Sequence, residues 1–124
     1  MHIGIIPHTG KSVALDLTEE LARFLQERGV GYDVITHPSL DNVAAFDIVI
    51  VLGGDGTLLN AARLTSQVQV PVFGVNVGHL GFLTEVETDG LFPAMEALLD
   101  GNYTLEERML ITASVNRGGE EAAR

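Results

Sequence analysis

Apolar positions along the chain switch repeatedly between two spacings. Ile3 to Ile6 is a short apolar run that predicts a buried strand, and the polar loop "PHTGKS" follows it. From Ser12 to Arg28, Ala14, Leu17, Leu21, Phe24 and Leu25 recur at intervals of three and four, which places them on one face of a helix. Gly29 and Gly31 stop that helix. "YDVITH" (32–37) alternates into a second strand, Pro38 and Asn42 mark a loop, and Asp47 to Leu52 is a continuous apolar run of the kind buried on both faces of a sheet. Leu58 to Thr65, rich in Leu and Ala, predicts a helix. "VPVFGV" (70–75) predicts a fourth strand with Pro71 at its edge, and "NVGHLGF" (76–82) is a glycine-rich loop. Thr88 to Asp100 predicts a further helix with Leu91, Met95, Leu98 and Leu99 facing inward and Gly101 ending it. Strands alternating with helices in this way predict an α/β fold, a mostly parallel sheet with helices on both faces.

The last stretch changes character. In 104–124, Leu110, Thr112, Ser114 and Asn116 alternate with Ile111, Ala113 and Val115 before the turn signal "NRGG". A hairpin is expected to begin there, with the sequence ending inside its second strand. A hairpin of this size is marginal by itself. The expected division is therefore an α/β domain over 1–103 and, over 104–124, the first strands of a β-rich domain of which this chain is a fragment.

Composition narrows the function. The 124 residues suffice for one ordinary domain, and 46% are hydrophobic types, enough for a globular core. No apolar run approaches the roughly 20 residues of a membrane span, and the N-terminus has no basic segment or cleavage site of an export signal, so a cytoplasmic chain is expected. The absence of cysteine removes disulfides, thiolate nucleophiles and zinc–thiolate sites. The formal net charge of −10 argues against nucleic acid or an anionic membrane as partner, because both require clustered cations. A bound phosphate would have to be held locally, by backbone amides, a metal or a few basic residues.

Three glycine-rich stretches invite phosphate chemistry. "GIIPHTGKS" ends like a phosphate-binding loop, but that motif requires glycine at position 5, which is Ile5, so a P-loop is rejected. Lys11 remains a possible phosphate contact beside the plainer reading of a solvated loop lysine. Neither "GDGTLL" nor "GVNVGHLGF" has the glycine spacing of a dinucleotide fingerprint, which disfavours a hydride-transfer domain. "GGDGT" (53–57) is different. Glycines after a buried strand let a ligand approach the backbone without a Cβ between them, and the following helix start offers unpaired N–H groups to phosphate oxygens. A carboxylate there would repel phosphate, so Asp55 makes sense when it must touch a hydroxyl, as base or orienting group in phosphoryl transfer. The competing reading of Asp55 is a turn or helix N-cap residue. His2, His8 and His37 show no metal-ligand spacing, His79 reads as a loop residue, and Glu85, Glu87 and Asp89 read as a solvated acidic cluster ahead of a helix.

"GGDGT" followed by "NVGHLGFL" (76–83) resembles the NAD kinase family, whose N-terminal half carries a GGDG box and an Asn-x-Gly-x-x-Gly-Phe-Leu segment. The resemblance extends over essentially the whole chain, "EERMLI" included. "GGDGT" alone is shared with kinases acting on lipid or sugar hydroxyls, and these remain an alternative, as does a fragment that binds nucleotide without catalysis. The resemblance implies phosphoryl transfer from ATP, or polyphosphate, to the 2′-hydroxyl of NAD, with Mg²⁺ accompanying ATP, in a homodimer or homotetramer. It implies Asp55 as general base or orienting acid, and Gly54, Gly56 and Thr57 against the dinucleotide's phosphates and ribose. Phe82 and Leu83 would wall an adenine pocket, reached by a loop shaped by Asn76 and Gly78. Asn60 stands where the family often carries a basic residue near phosphate. The family's Asn-Glu box would follow beyond residue 124, leaving the site half built on this chain.

Overall fold

The computed structural model describes residues 1–77, 86–107, 111–117 and 120–121, with side-chain surroundings for 1–77 and 89–103. Strand β1 (His2–Pro7) leads into helix α1 (Ser12–Glu27) and strand β2 (Gly31–Val34). A four-residue helix α2 (Leu40–Val43) precedes strand β3 (Ile48–Gly53), helix α3 (Asp55–Thr65) and strand β4 (Val72–Asn76). Two-residue strand β5 (Val86–Glu87), helix α4 (Leu91–Leu99), and strands β6 (Tyr103–Glu107), β7 (Ile111–Arg117) and β8 (Glu120–Glu121) complete the described chain.

The sheet runs β2-β1-β3-β4-β7-β6, parallel from β2 through β7, with β6 antiparallel to β7. β5 pairs parallel with β4, and β8 pairs antiparallel with β7, with Arg117 opposite Glu120. Because successive side chains on a strand point to opposite faces, β3 supplies both sides of the core. Ile48, Ile50 and Leu52 join Ile3, Ile5, Phe73 and Val75 against α1 and α4, whereas Val49 and Val51 join Ile6 and Val72 against α2 and α3. The mostly parallel sheet with helices on both faces is thus the observed fold. The Phe46 side chain packs directly on β1 at Gly4, where a Cβ would lie 2.7 Å from its ring.

Several element boundaries depart from the periodicity. The second strand stops at Val34, after which only the Ile35 amide still bonds to β1, at Ile5 O, 2.8 Å away. α2 lies within the segment read as a loop and is held by a reciprocal cap between Ser39 and Asn42, too short to show a period. α3 begins at Asp55 and not at Leu58, since glycine is tolerated in a first turn whose amides need no preceding partner. α4 buries Leu91, Ala94, Met95 and Leu98, while Leu99 packs only partly against the core. The β6–β7 pair was not expected to join the α/β sheet, yet β7 lies beside β4 with Thr112 opposite Val72. Residues 78–85 and the side chain of Glu87 lie outside what is described.

Candidate active site

The chain leaves β1 towards β2 on one side of the sheet and reaches β3 on the other, so the order of connection reverses between β1 and β3. In open parallel sheets, ligands bind beyond the carboxyl ends of the strands at such a reversal. A cleft of about 680 Å³ lies there. Across it, in sheet order, stand Thr36 and Pro38 after β2, His8, Thr9 and Lys11 after β1, Gly54 to Thr57 after β3, and Asn76 and Val77 at the end of β4. Asn60 and Ala61, one turn into α3, close its floor.

The bond pattern that holds this end of the sheet is local and dense. The His8 amide donates to Leu52 O (2.9 Å) and the Val77 amide to Gly53 O (2.8 Å), tying the ends of β1 and β4 to β3. Gly54 is the N-cap of α3 and Asp55 its first helical residue, so the competing reading of Asp55 as the N-cap does not hold. Neither N-cap, Gly54 on α3 or Lys11 on α1, supplies a side-chain cap. Both helices therefore open onto the cleft with their positive ends. Among the described lining residues Lys11 is the sole lysine or arginine.

The glycines of "GGDGT" divide by cause. A Cβ on Gly53 would lie 2.7 Å from Thr57 Oγ1 and 2.8 Å from its Cβ, so the first turn of α3 can sit on the strand end only because Gly53 has none. A Cβ on Gly54 or Gly56 would meet nothing within 4 Å, and neither has a positive φ. The chain's own packing gives no reason for glycine at these two positions. Both face the cleft.

Asp55, Gly54, Gly56, Thr57, Asn60, Asn76 and Lys11 are thus brought to one cleft. Asn76 is buried at 3% exposure beside Gly53 in the sheet register, while Asp55 is half-buried. Phe82, Leu83 and Gly78 lie outside the described residues. The motifs did not point to His8, Thr9, Thr36 or Pro38. Their signal was positional, since each follows the carboxyl end of β1 or β2, but it could be used only once the strand order was known.

Fold and site together define an α/β domain with a carboxylate at a helix N-terminus in a ligand cleft. The ATP-NAD kinase N-terminal domain profile matches residues 35–103. The NAD kinase of Heliobacterium modesticaldum is 42% identical over 130 residues, covering 96% of this chain and 46% of that protein. That of Geobacter sulfurreducens is 55% identical over 75 residues, covering 60% of this chain and 26% of that protein. The chain belongs to the NAD kinase family. The crystal structure of an NAD kinase from Archaeoglobus fulgidus in complex with ATP superposes with a TM-score of 0.63 at 21% identity, covering 85% of this chain and 40% of that one, a likeness of fold. The chain spans about half the length of the curated relatives that match nearly all of it.

Proposed function

We propose that the protein carrying this chain transfers the terminal phosphoryl group of ATP, or of polyphosphate, to the 2′-hydroxyl of NAD, making NADP. The observation that carries the reading is the placement of Asp55 between two glycines whose missing side chains serve no packing purpose, at the mouth of a cleft opened by two helix N-termini. Gly54 and Gly56 leave the backbone bare for the dinucleotide, and Thr57, Asn60, Asn76 and Lys11 surround it. In the step itself, Asp55 accepts the proton of the 2′-hydroxyl as its oxygen bonds to the γ-phosphorus. The bond from that phosphorus to the bridging oxygen breaks, and ADP, or shortened polyphosphate, leaves with the electron pair. The transition state is loose, so positioning contributes most and the base about 10²–10⁴-fold.

Magnesium fits this site as a companion of the phosphates. It keeps several waters and needs one or two protein carboxylates, and Asp55 is the carboxylate lining the cleft. Among the described residues no group of three or more acidic or histidine side chains could hold a metal independently. When bound, the cation neutralises charge on the donor's phosphate oxygens. The β-rich segment from 104 and a homodimeric or homotetrameric partner complete the proposed assembly, in the cytoplasm. Among the described residues no helix is long and apolar enough to cross a membrane.

Asp55→Asn tests the reading. In the full-length protein it is expected to lower NADP formation by at least about 10²-fold while the melting temperature and NAD affinity stay near wild type. Unfolding on that change would make Asp55 a structural residue, and phosphorylation of a lipid or sugar hydroxyl in place of NAD would move the protein to another GGDGT kinase.

A further inference from the structure

The β1 side of the cleft contains a histidine held in one tautomer. The His8 backbone is fixed at both ends, its amide on Leu52 O (2.9 Å) and its carbonyl accepting from the Lys11 amide (3.2 Å). Its ring is fixed as well, because Nδ1 accepts the Gly10 amide hydrogen at 3.0 Å. A neutral imidazole with Nδ1 acting as acceptor carries its proton on Nε2. Gly10 makes this arrangement possible, since a Cβ there would approach the His8 ring to 2.9 Å. The result is an imidazole oriented through Nδ1, with its N–H on Nε2, on a residue that lines the cleft one position beyond the strand and three before Lys11.

Its position relative to Asp55 decides what it can bind. Phosphoryl transfer places the attacking and leaving oxygens roughly in line on opposite sides of phosphorus. Asp55 follows β3, with Asn76 on the β4 side and His8 and Lys11 on the β1 side. The leaving phosphate carries the greater charge and requires donors; the α3 N-terminus offers amides after β3, and the side-chain donors His8 and Lys11 lie on the β1 side. Resting on the phosphotransfer reading above, we propose that His8 is a donor-binding residue whose Nε2–H hydrogen-bonds an oxygen of the donor's phosphoanhydride chain, with Lys11 beside it.

Two substitutions separate this role from a structural one. His8→Asn keeps an acceptor for the Gly10 amide, as an Asn two residues ahead of an amide does in an Asx-turn, but removes the Nε2 donor. His8→Gln keeps an N–H at the reach of Nε2 and loses the acceptor. In the full-length protein, H8N is expected to raise the KM for ATP and the titrated Kd for inorganic tripolyphosphate by about tenfold, the effect of losing one hydrogen bond to a charged acceptor. The KM for NAD and the melting temperature should stay unchanged, and H8Q should restore most donor affinity. Unchanged donor constants in H8N overturn the proposal, as does an equal rise in the KM for NAD, or H8Q weaker than H8N. Weakened ATP with unchanged tripolyphosphate also overturns it, because the contact would then be to the nucleoside. Should the wild-type protein make no NADP yet bind tripolyphosphate in an H8N-sensitive way, the NAD assignment falls and the role of His8 stands.

Discussion

Gly53, Gly54 and Gly56 look equivalent around Asp55, yet they answer to different constraints. Gly53 is required by the fold, because an added methyl would meet Thr57 in the turn that follows. Gly53→Ala is therefore expected to lower stability by roughly 1–3 kcal/mol, the usual cost of an overpacked contact. Gly56 has free space around it and ordinary helical geometry, so Gly56→Ala should hold or raise stability by about 0.5–1 kcal/mol while NADP formation falls steeply. Denaturant midpoints and initial rates on the two variants, measured side by side, check the division; a G56A protein with full activity would break the link between bare backbone and ligand. The motif was legible because its residues are contiguous. Which glycine serves packing and which serves ligand was not, since that depends on where the α3 turn sits over the strand. His8 was passed over for a similar reason, its place being set by the adjacency of β1 and β3, whose sequences lie some forty residues apart.

At the level of elements, the helix ends were the clearest sequence signals. α1 and α4 each finish with a glycine in the left-handed region, Gly29 at φ 70 and Gly101 at φ 80. In both, the residue after the glycine donates back to the penultimate turn, Val30 to Leu25 O at 3.0 Å and Asn102 to Ala97 O at 2.8 Å. This paired closure satisfies carbonyls that would otherwise face solvent and turns the chain into the next strand. Gly29→Ala and Gly101→Ala should each cost about 1–2 kcal/mol through the left-handed backbone alone, because neither Cβ would meet any atom within 4 Å. Thermal denaturation of the two single variants measures it, and Asn in place of Ala should recover part of the loss. Element starts were harder to see. α3 opens on glycine, a residue that argues against a helix by propensity, and α2 is a single turn defined by its Ser39–Asn42 cap. The overlong second strand has another cause. "YDVITH" alternates throughout, but only Tyr32, Asp33 and Val34 pair in register with β1, and Ile35 adds one amide bond to Ile5 O.

For the whole molecule, the non-local features carried the function and were the least legible. Local periodicity announces strands without their order, and the order places the reversal, and so the cleft, between β1 and β3. The charge is a whole-molecule property as well. With a net charge of −10, this chain would give an anionic dinucleotide no long-range attraction, so on the proposed reading affinity must come from groups that touch it. On the proposed reading those groups would be two helix N-termini, Lys11 and the glycine backbone, lining an open cleft, whereas tight small-ligand sites bury roughly 70–90% of their ligand. The matched relatives are about twice as long. Isothermal titration of the 124-residue chain is therefore expected to show weak ATP binding, on the order of millimolar, and no turnover of NAD, the few kcal/mol gained by local phosphate contacts being close to the cost of immobilising the ligand. The full-length protein should bind NAD at least tenfold more tightly and produce NADP. Equal NAD affinity in the two would place the whole dinucleotide site on this chain.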